Sequence, residues 1–329
     1  LKAVDMFRAM SDGKIKALWV MCTNPAVSLP EADAVANAIR DCEFVVVSDL
    51  TDQTDTAKLA DLVLPATGWG EKDGTVTNSD RTISRQRAVL PAPGLARHDW
   101  AIIADVGRRM GYTEAFDYET GAEIFREYAA LSGLAADMGR DFDISGLRDI
   151  SDAEYNGMKP QRWPVTSNGP TGRMFGDGKF FTPSGKGRML PLTHRAPQSQ
   201  PTAELPFRLN TGRVRDQWHT MTRTGKSARL TQHIAEPFAE LHPMDAQRLG
   251  VSDADLIQLS NPNGEAILRV LITDRAQPGS IFAPIHWTGQ NAPTGRIDRL
   301  VTAHVDPVSG QPESKASVTA AERFDATWY

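Results

Sequence analysis

At 329 residues, with 40% hydrophobic and 23% charged side chains, the chain has the composition of a globular protein and enough length for two cores. Its formal net charge of −5 argues against a nucleic-acid binder, which usually carries a basic surplus. No apolar run approaches the ~20 residues that a membrane-spanning helix needs.

The run from Lys16 to Met21 predicts a strand buried on both faces, ending at Thr23-Asn24-Pro25, where Pro forbids a ladder hydrogen bond. Pro30 then opens a helix to about Asp41, with Ala32, Val35, Ala36 and Ile39 on one face. Phe44 to Val47 is a second buried strand, stopping at Ser48-Asp49. A short helix around Ala57 and a third strand, Leu62 to Leu64, follow. This alternation predicts a parallel sheet with right-handed crossovers. Ligands of such sheets bind outside the carboxyl ends of the strands, here Asn24, Ser48-Asp49 and the loop from Pro65 to Asn78. The Gly-x-Gly-x-x-Gly loop of an ordinary dinucleotide site is missing, which disfavours a nicotinamide dehydrogenase. Cys22 and Cys42 lack CxxC spacing and are expected to be small buried hydrophobes.

A helix from His98 to Met110 is expected to bury Trp100, Ile103, Val106 and Met110, with Gly111 as its C-cap. Residues 113–135 hold another helical stretch. From 136 to 205 Gly and Pro are frequent, and the expectation is an irregular connecting region with two hairpin-like strands near Phe180-Phe181 and Arg188-Met189-Leu190. Beyond Pro206 the pattern changes to short strands, at 206–210, 255–260, 265–273, 280–285 and 316–319. A tight Asn261-Pro262-Asn263-Gly264 turn and one helix, His242 to Leu249, interrupt them. That predicts a mostly β, closed barrel. The expected division is therefore 1–135, 136–205 and 206–325.

Two loops are dense in donors. Thr211 to Thr220 packs two Arg, an Asp, a Gln, a His and two Thr into ten residues, and Trp69 to Ser79 has the same character. Such loops are poorly explained as core. They suit a large, polar, anionic guest held from two sides.

Ala17 to Met21 with Thr23-Asn24-Pro25, Trp69-Gly70-Glu71-Lys72-Asp73-Gly74, Asn78-Ser79-Asp80-Arg81 and Thr211-Gly212-Arg213-Val214 through His219-Thr220 together resemble the molybdopterin oxidoreductase family. Within it they are most similar to the catalytic subunits of bacterial assimilatory nitrate reductases. Trp287 to Asn291 and Asp306 to Lys315 point the same way. The resemblance implies an α/β fold: part of a parallel-sheet Rossmann-like domain, then a six-stranded barrel of double-psi type. Members are more than twice as long, so the chain, which starts at Leu1 rather than Met, is expected to be the C-terminal half of something longer. The implied cofactors are molybdenum bis-molybdopterin guanine dinucleotide and, in an upstream half, a [4Fe-4S] cluster and the metal's own ligand. No catalytic residue and no metal ligand is assigned in this chain.

Position by position, the resemblance implies that Asp49 reads guanine and that Ser48 bonds ribose or phosphate, although the pair also suits a helix N-cap. Asn24, Lys72, Asp99 and Lys315 match cofactor contacts. Thr211, Gly212, Arg213, Val214, Gln217, Trp218, His219 and Thr220 match the segment wrapping the cofactor's second face, with Gly212 permitting a close backbone approach. Where the family has Asn this chain has Asp298, which cannot donate when ionised and is left out of the site. The implied reaction reduces nitrate to nitrite with electrons from a ferredoxin, a flavodoxin or an NADH-dependent subunit, in the cytoplasm and without nucleic acid or membrane. Arg213, Arg215 or Arg223 would supply a positive approach for the anion. Another member such as a formate dehydrogenase, or a cofactor-binding module inactive by itself, remain as alternatives.

Overall fold

The computed structural model describes residues 1–326. It opens with α1 (Ala3–Ser11), β1 (Ala17–Met21), a single turn α2 (Pro25–Ser28), α3 (Ala32–Arg40), β2 (Phe44–Asp49) and β3 (Leu62–Pro65). The strands lie in the order β1-β2-β3, and β1 runs parallel to β2 with Leu18 opposite Val45 and Val20 opposite Val47. All four are buried with Phe7, Met10, Val35 and Ile39. Each large apolar side chain so buried contributes ~1.5–3 kcal/mol before conformational entropy is charged. The third helix starts two residues later than Pro30. Glu31 takes a left-handed conformation (φ 51°), its N–H bonded to Val301 O and its carboxylate accepting from Ala303 N. Of the cysteines, Cys42 packs against this core, whereas Cys22 is exposed, contrary to expectation.

Next come β4 (Gly74–Thr77), β5 (Thr82–Gln86), α4 (Asp99–Arg109), α5 (Gly121–Asp137), α6 (Asp152–Gly157), β6 (Gln161–Arg162), β7 (Val165–Thr166) and β8 (Gly169–Pro170). Ile83, Phe125, Ile144 and Tyr155 anchor their core. Thr120 caps α5 reciprocally with Glu123, accepting from the Glu123 N–H while that carboxylate accepts from the Thr120 N–H. Two expectations fail here. The buried face of α4 is Ile102, Ala104 and Gly107, while Ile103 and Met110 are exposed. Gly107 lies so close to Phe116 that a Cβ there would meet its ring at 2.5 Å, so this face of the helix packs against Phe116. Residues around Phe180 and Met189 form no strands. Phe175 instead stacks on Phe180, and the short pairings fall at β6 to β8.

The last part is a barrel of β9 (Phe207–Gly212), β10 (Phe238–Leu241), β11 (Leu256–Asn261), β12 (Gly264–Ile272), β13 (Ser280–Pro284) and β14 (Ser317–Arg323), with α7 (Ala228–Thr231) and α8 (Pro243–Leu249) between strands. It closes in the order β10-β12-β11-β14-β9-β13, and the pairs β10·β12 and β13·β9 are parallel. This is a mixed six-stranded barrel of the double-psi type. Asn261 pairs with Gly264 across the two-residue turn, as the sequence leads one to expect. Inward residues alternate along the strands, with Phe207, Leu209, Ile257, Leu259, Leu268 and Ile281 almost wholly enclosed.

Two compact units result, residues 1–64 with the chain from Arg195 onward, and Pro65–His194. Within the first, charged groups tie the sheet to the barrel. Arg296 reaches Asp33 at 3.1 Å and Asp55 at 3.8 Å and donates to Ala26 O, while Arg299 reaches Asp33 at 2.6 Å. Among the described residues no helix is long and apolar enough to cross a membrane.

Candidate functional site

At the carboxyl edge of the sheet, β1 and β2 deliver Asn24, Ser48 and Asp49 together. The Trp19 indole N–H donates to Ser48 Oγ at 2.9 Å, across the register that sets Met21 against Ser48. Asp49 Oδ1 accepts from the next amide, Leu50 N. Asn24 is buried, and its Oδ1 accepts from both the N–H (3.1 Å) and the hydroxyl (2.6 Å) of Thr56. Its Nδ2 is buried with no hydrogen-bond partner among the described residues. A buried donor left unmade costs ~1–3 kcal/mol, so its persistence points to a ligand that accepts from it.

On the barrel side the strand runs two residues beyond expectation, so Thr211 and Gly212 belong to β9 rather than to the loop. Thr211 Oγ1 donates to Ser314 O at 2.6 Å and Thr211 O accepts from Lys315 Nζ. Lys315 is thereby drawn to the strand end from which the loop springs. Gly212 pairs with Pro284, and a Cβ there would lie 2.5 Å from the Phe282 ring. The glycine is therefore required by Phe282, a reason the sequence did not reveal. Arg213 lies over the exposed Trp218 ring at 5.6 Å, and Trp218 meets the His219 ring edge-on at 4.6 Å. Gln217 is buried, donating to Leu230 O while its Oε1 has no partner among the described residues. Thr220, half-buried, closes the segment.

Arg215 contributes less positive field than expected, since Asp216 pairs with it at 2.9 Å and with His233 at 2.8 Å. The hydrogen bonds from Arg215 and then His233 hold the Asp216 carboxyl below its usual range. Arg213 has no carboxylate partner among the described ion pairs.

Sequence reasoning gave His286 little weight. It is fully buried just past β13, its Nε2 accepting the Val214 N–H at 2.9 Å and its Nδ1 lying 2.7 Å from His219 O. A backbone N–H can only donate and a carbonyl can only accept. The ring is therefore the neutral Nδ1–H tautomer. Burial, foremost, pushes its pKa below the ordinary histidine value.

The two edges are linked through the 287–291 segment. Asp55, next to Thr56, accepts from Gly289 N at 2.8 Å. Asn291 bonds back to Thr288 O and its amide reaches the sulfur of Met221, just beyond the loop, at 4.0 Å. A continuous path thus runs from Asn24 through Thr56, Asp55 and Gly289 to Met221. The signal for it was the Trp287 to Asn291 string. Nothing in the string named Asp55 as its partner. In the second unit Lys72 and Asp99 form an ion pair with each other, and Asp99 Oδ1 is buried without a hydrogen-bond partner among the described residues.

Asp298 is buried, and burial pushes its carboxyl up to about 8 because the nearby Arg296 offsets only part of the desolvation cost. The protonated acid has an O–H to donate. The objection that this position cannot act as Asn does therefore lapses at neutral pH.

Residues 1–109 match the molybdopterin oxidoreductase family, and residues 207–318 match the molybdopterin dinucleotide binding domain. A nitrate reductase of Klebsiella oxytoca is 45% identical over 100% of this chain and 38% of its own length. The assimilatory nitrate reductase catalytic subunit of Bacillus subtilis is 34% identical over 96% of the chain and 43% of its own. The F420-dependent formate dehydrogenase subunit alpha of Methanocaldococcus jannaschii is 32% identical over 95% and 44%. The chain thus spans less than half the length of these relatives. Among solved structures, acetylene hydratase from Pelobacter acetylenicus shares the fold, with a TM-score of 0.74 at 21% identity over 97% of this chain and 46% of that one.

Proposed function

Because the chain belongs to the molybdopterin oxidoreductase family, we propose that it supplies the sheet edge and barrel wall that hold a molybdenum bis-molybdopterin guanine dinucleotide in a cytoplasmic, nitrate-reducing enzyme. The observation that carries this is Asn24, whose buried Nδ2 has no partner among the described residues, on a contact path that leads to the barrel loop. Gln217 offers the complementary group, a buried acceptor. A guest with both ring N–H donors and phosphate or carbonyl acceptors fits the two.

When bound, the cofactor supplies the two-electron, oxygen-accepting chemistry that nitrate reduction needs. The chain's own groups bind and orient. Ser48 and Asp49 present a hydroxyl and a carboxylate at the sheet edge, suited to ribose or phosphate and to guanine. Thr211 to Thr220 offer amides and the Arg213 guanidinium, with Lys315 as a point charge beside them. In the second unit, Lys72 and Asp99 are a charge pair suited to a phosphate or a pterin oxygen. Electrons come from a separate donor, a ferredoxin, a flavodoxin or an NADH-dependent subunit, through a [4Fe-4S] cluster that would lie outside the residues of this chain. The division 1–135, 136–205 and 206–325 describes the functional modules.

Formate oxidation is the second reading, favoured by the 32% identical formate dehydrogenase subunit. Assay of the full-length, cofactor-loaded enzyme separates the two. Nitrate-dependent oxidation of a reduced viologen dye supports the first reading, and formate-dependent dye reduction without nitrate turnover replaces it with the second. The 329-residue chain alone is expected to turn over neither.

A further inference from the structure

We propose that His286 is the positioning residue of the 213–220 loop, closing it by two hydrogen bonds that its imidazole makes at once only as the neutral Nδ1–H form. The loop leaves β9 beside β13, where Gly212 lies opposite Pro284 and Gly212 O accepts from Ile285 N. His286 is the next residue along, so its ring projects where the loop both departs and returns. Among the described residues it is the one side chain bonded to both ends, taking the Val214 N–H and giving to His219 O.

The loop needs such a tie. His219 and Met221 both sit at positive φ (44° and 60°), a conformation that costs a non-glycine residue ~1–2 kcal/mol. Its other contacts among the described residues include Asp216 to His233, Trp218 N to Thr224 Oγ1, Gln217 Nε2 to Leu230 O and Met221 N to Trp218 O, all away from the loop's root. With His286 in place, the Val214 amide is spent inward. The Arg213 guanidinium, Gln217 Oε1 and the His219 ring are held in fixed relation to one another.

The same bonds give the loop an acid limit. A second proton on His286 would set an N–H against the Val214 N–H, and that bond is lost. The charged or titratable groups acting on the ring are His219 and Arg213, which with burial oppose protonation, while donation to His219 O favours it. The geometry stands alone; its consequence for the cofactor rests on the proposed function.

The test is amide hydrogen exchange of the full chain, comparing wild type with His286→Ala and His286→Gln. The glutamine amide offers an acceptor and a donor spaced much as the two ring nitrogens are. In His286→Ala, Val214 and its loop should exchange on the order of tenfold faster while the barrel ladders stay protected, and Gln should restore most of the protection. In wild type, loop protection corrected for intrinsic rate should fall as the pH drops below ~6.5, and in the Gln variant it should not. Unchanged loop exchange in Ala, Gln no better than Ala, or a flat acid profile in wild type overturns the proposal. Should the Ala variant loosen the whole barrel, the wild-type acid profile decides alone. Molybdenum and pterin content of the full-length enzyme is the second readout. Loss in Ala with recovery in Gln extends the positioning role to the cofactor. Full content with a loosened loop keeps that role and removes the loop from the proposed binding site.

Discussion

Lys72 and Asp99, 27 residues apart in the chain, are each other's ionic partners. Their charges balance, so any guest beside them meets a neutral pair. Lys72→Met leaves a carboxylate whose Oδ1 already lacks a hydrogen-bond partner. With the side chains 28% and 21% exposed, solvent screening limits the expected loss to ~1 kcal/mol. Asp99→Asn added to Lys72→Met should recover part of it. Urea denaturation of the two single variants and the double variant checks this, and strict additivity would refute the pairing as a source of stability.

Asn24 serves two ends with one amide. Its oxygen holds the Thr56 N–H and hydroxyl, both buried. Asn24→Ala strands those donors and should cost ~1–3 kcal/mol in unfolding free energy. Asn24→Asp keeps the acceptor but deletes the unpartnered Nδ2. It should lower molybdenum content of the full-length enzyme out of proportion to any change in melting temperature. Normal metal content in that variant would separate Asn24 from the cofactor.

Gly212→Ala puts a methyl 2.5 Å from the Phe282 ring, closer than carbon atoms tolerate. Overpacking of this kind costs ~1–3 kcal/mol. Phe282→Leu in the same chain makes room. The double variant should therefore melt above the sum of the two single effects, as thermal unfolding would show.

Asp298 predicts an inverted pH profile. Its carboxyl is raised from 3.8 to about 8 in the fold, so between those values the unfolded chain has released a proton that the folded chain keeps. Folded stability from this group is complete below 3.8, declines as pH rises, and is fully lost above about 8. Asp298→Asn abolishes the dependence. Its advantage over wild type should grow from pH 4 to pH 8 in chemical denaturation, and a constant difference would show that the carboxyl is not held neutral.

The strands were legible because their periods are plain. Val45 and Val47 in a short apolar run can only be buried, and Asn261 to Gly264 can hardly be anything but a hairpin. What stayed hidden were partnerships across long sequence distances. Thr56 gives no sign that it serves Asn24, nor Phe282 that it forbids a side chain at Gly212. In α4 the apolar spacing of Trp100, Ile103, Val106 and Met110 suggested one face, but the helix buries Ile102, Ala104 and Gly107, the last packed close against Phe116, a partner the spacing does not name. His286 drew little weight because a lone histidine carries no local mark of two backbone partners. Asp298 shows the same limit, since burial and not residue type sets its charge.

Arg296 and Arg299 reach back to Asp33 and Asp55 across more than 230 residues of chain. A ribosome that has reached His194 has therefore made both carboxylates and neither guanidinium. The early sheet must wait, these two carboxylates uncompensated, until residues 296–299 emerge. A nascent chain stalled in that interval would be an open target for chaperones and proteases, whatever the quality of its apolar packing.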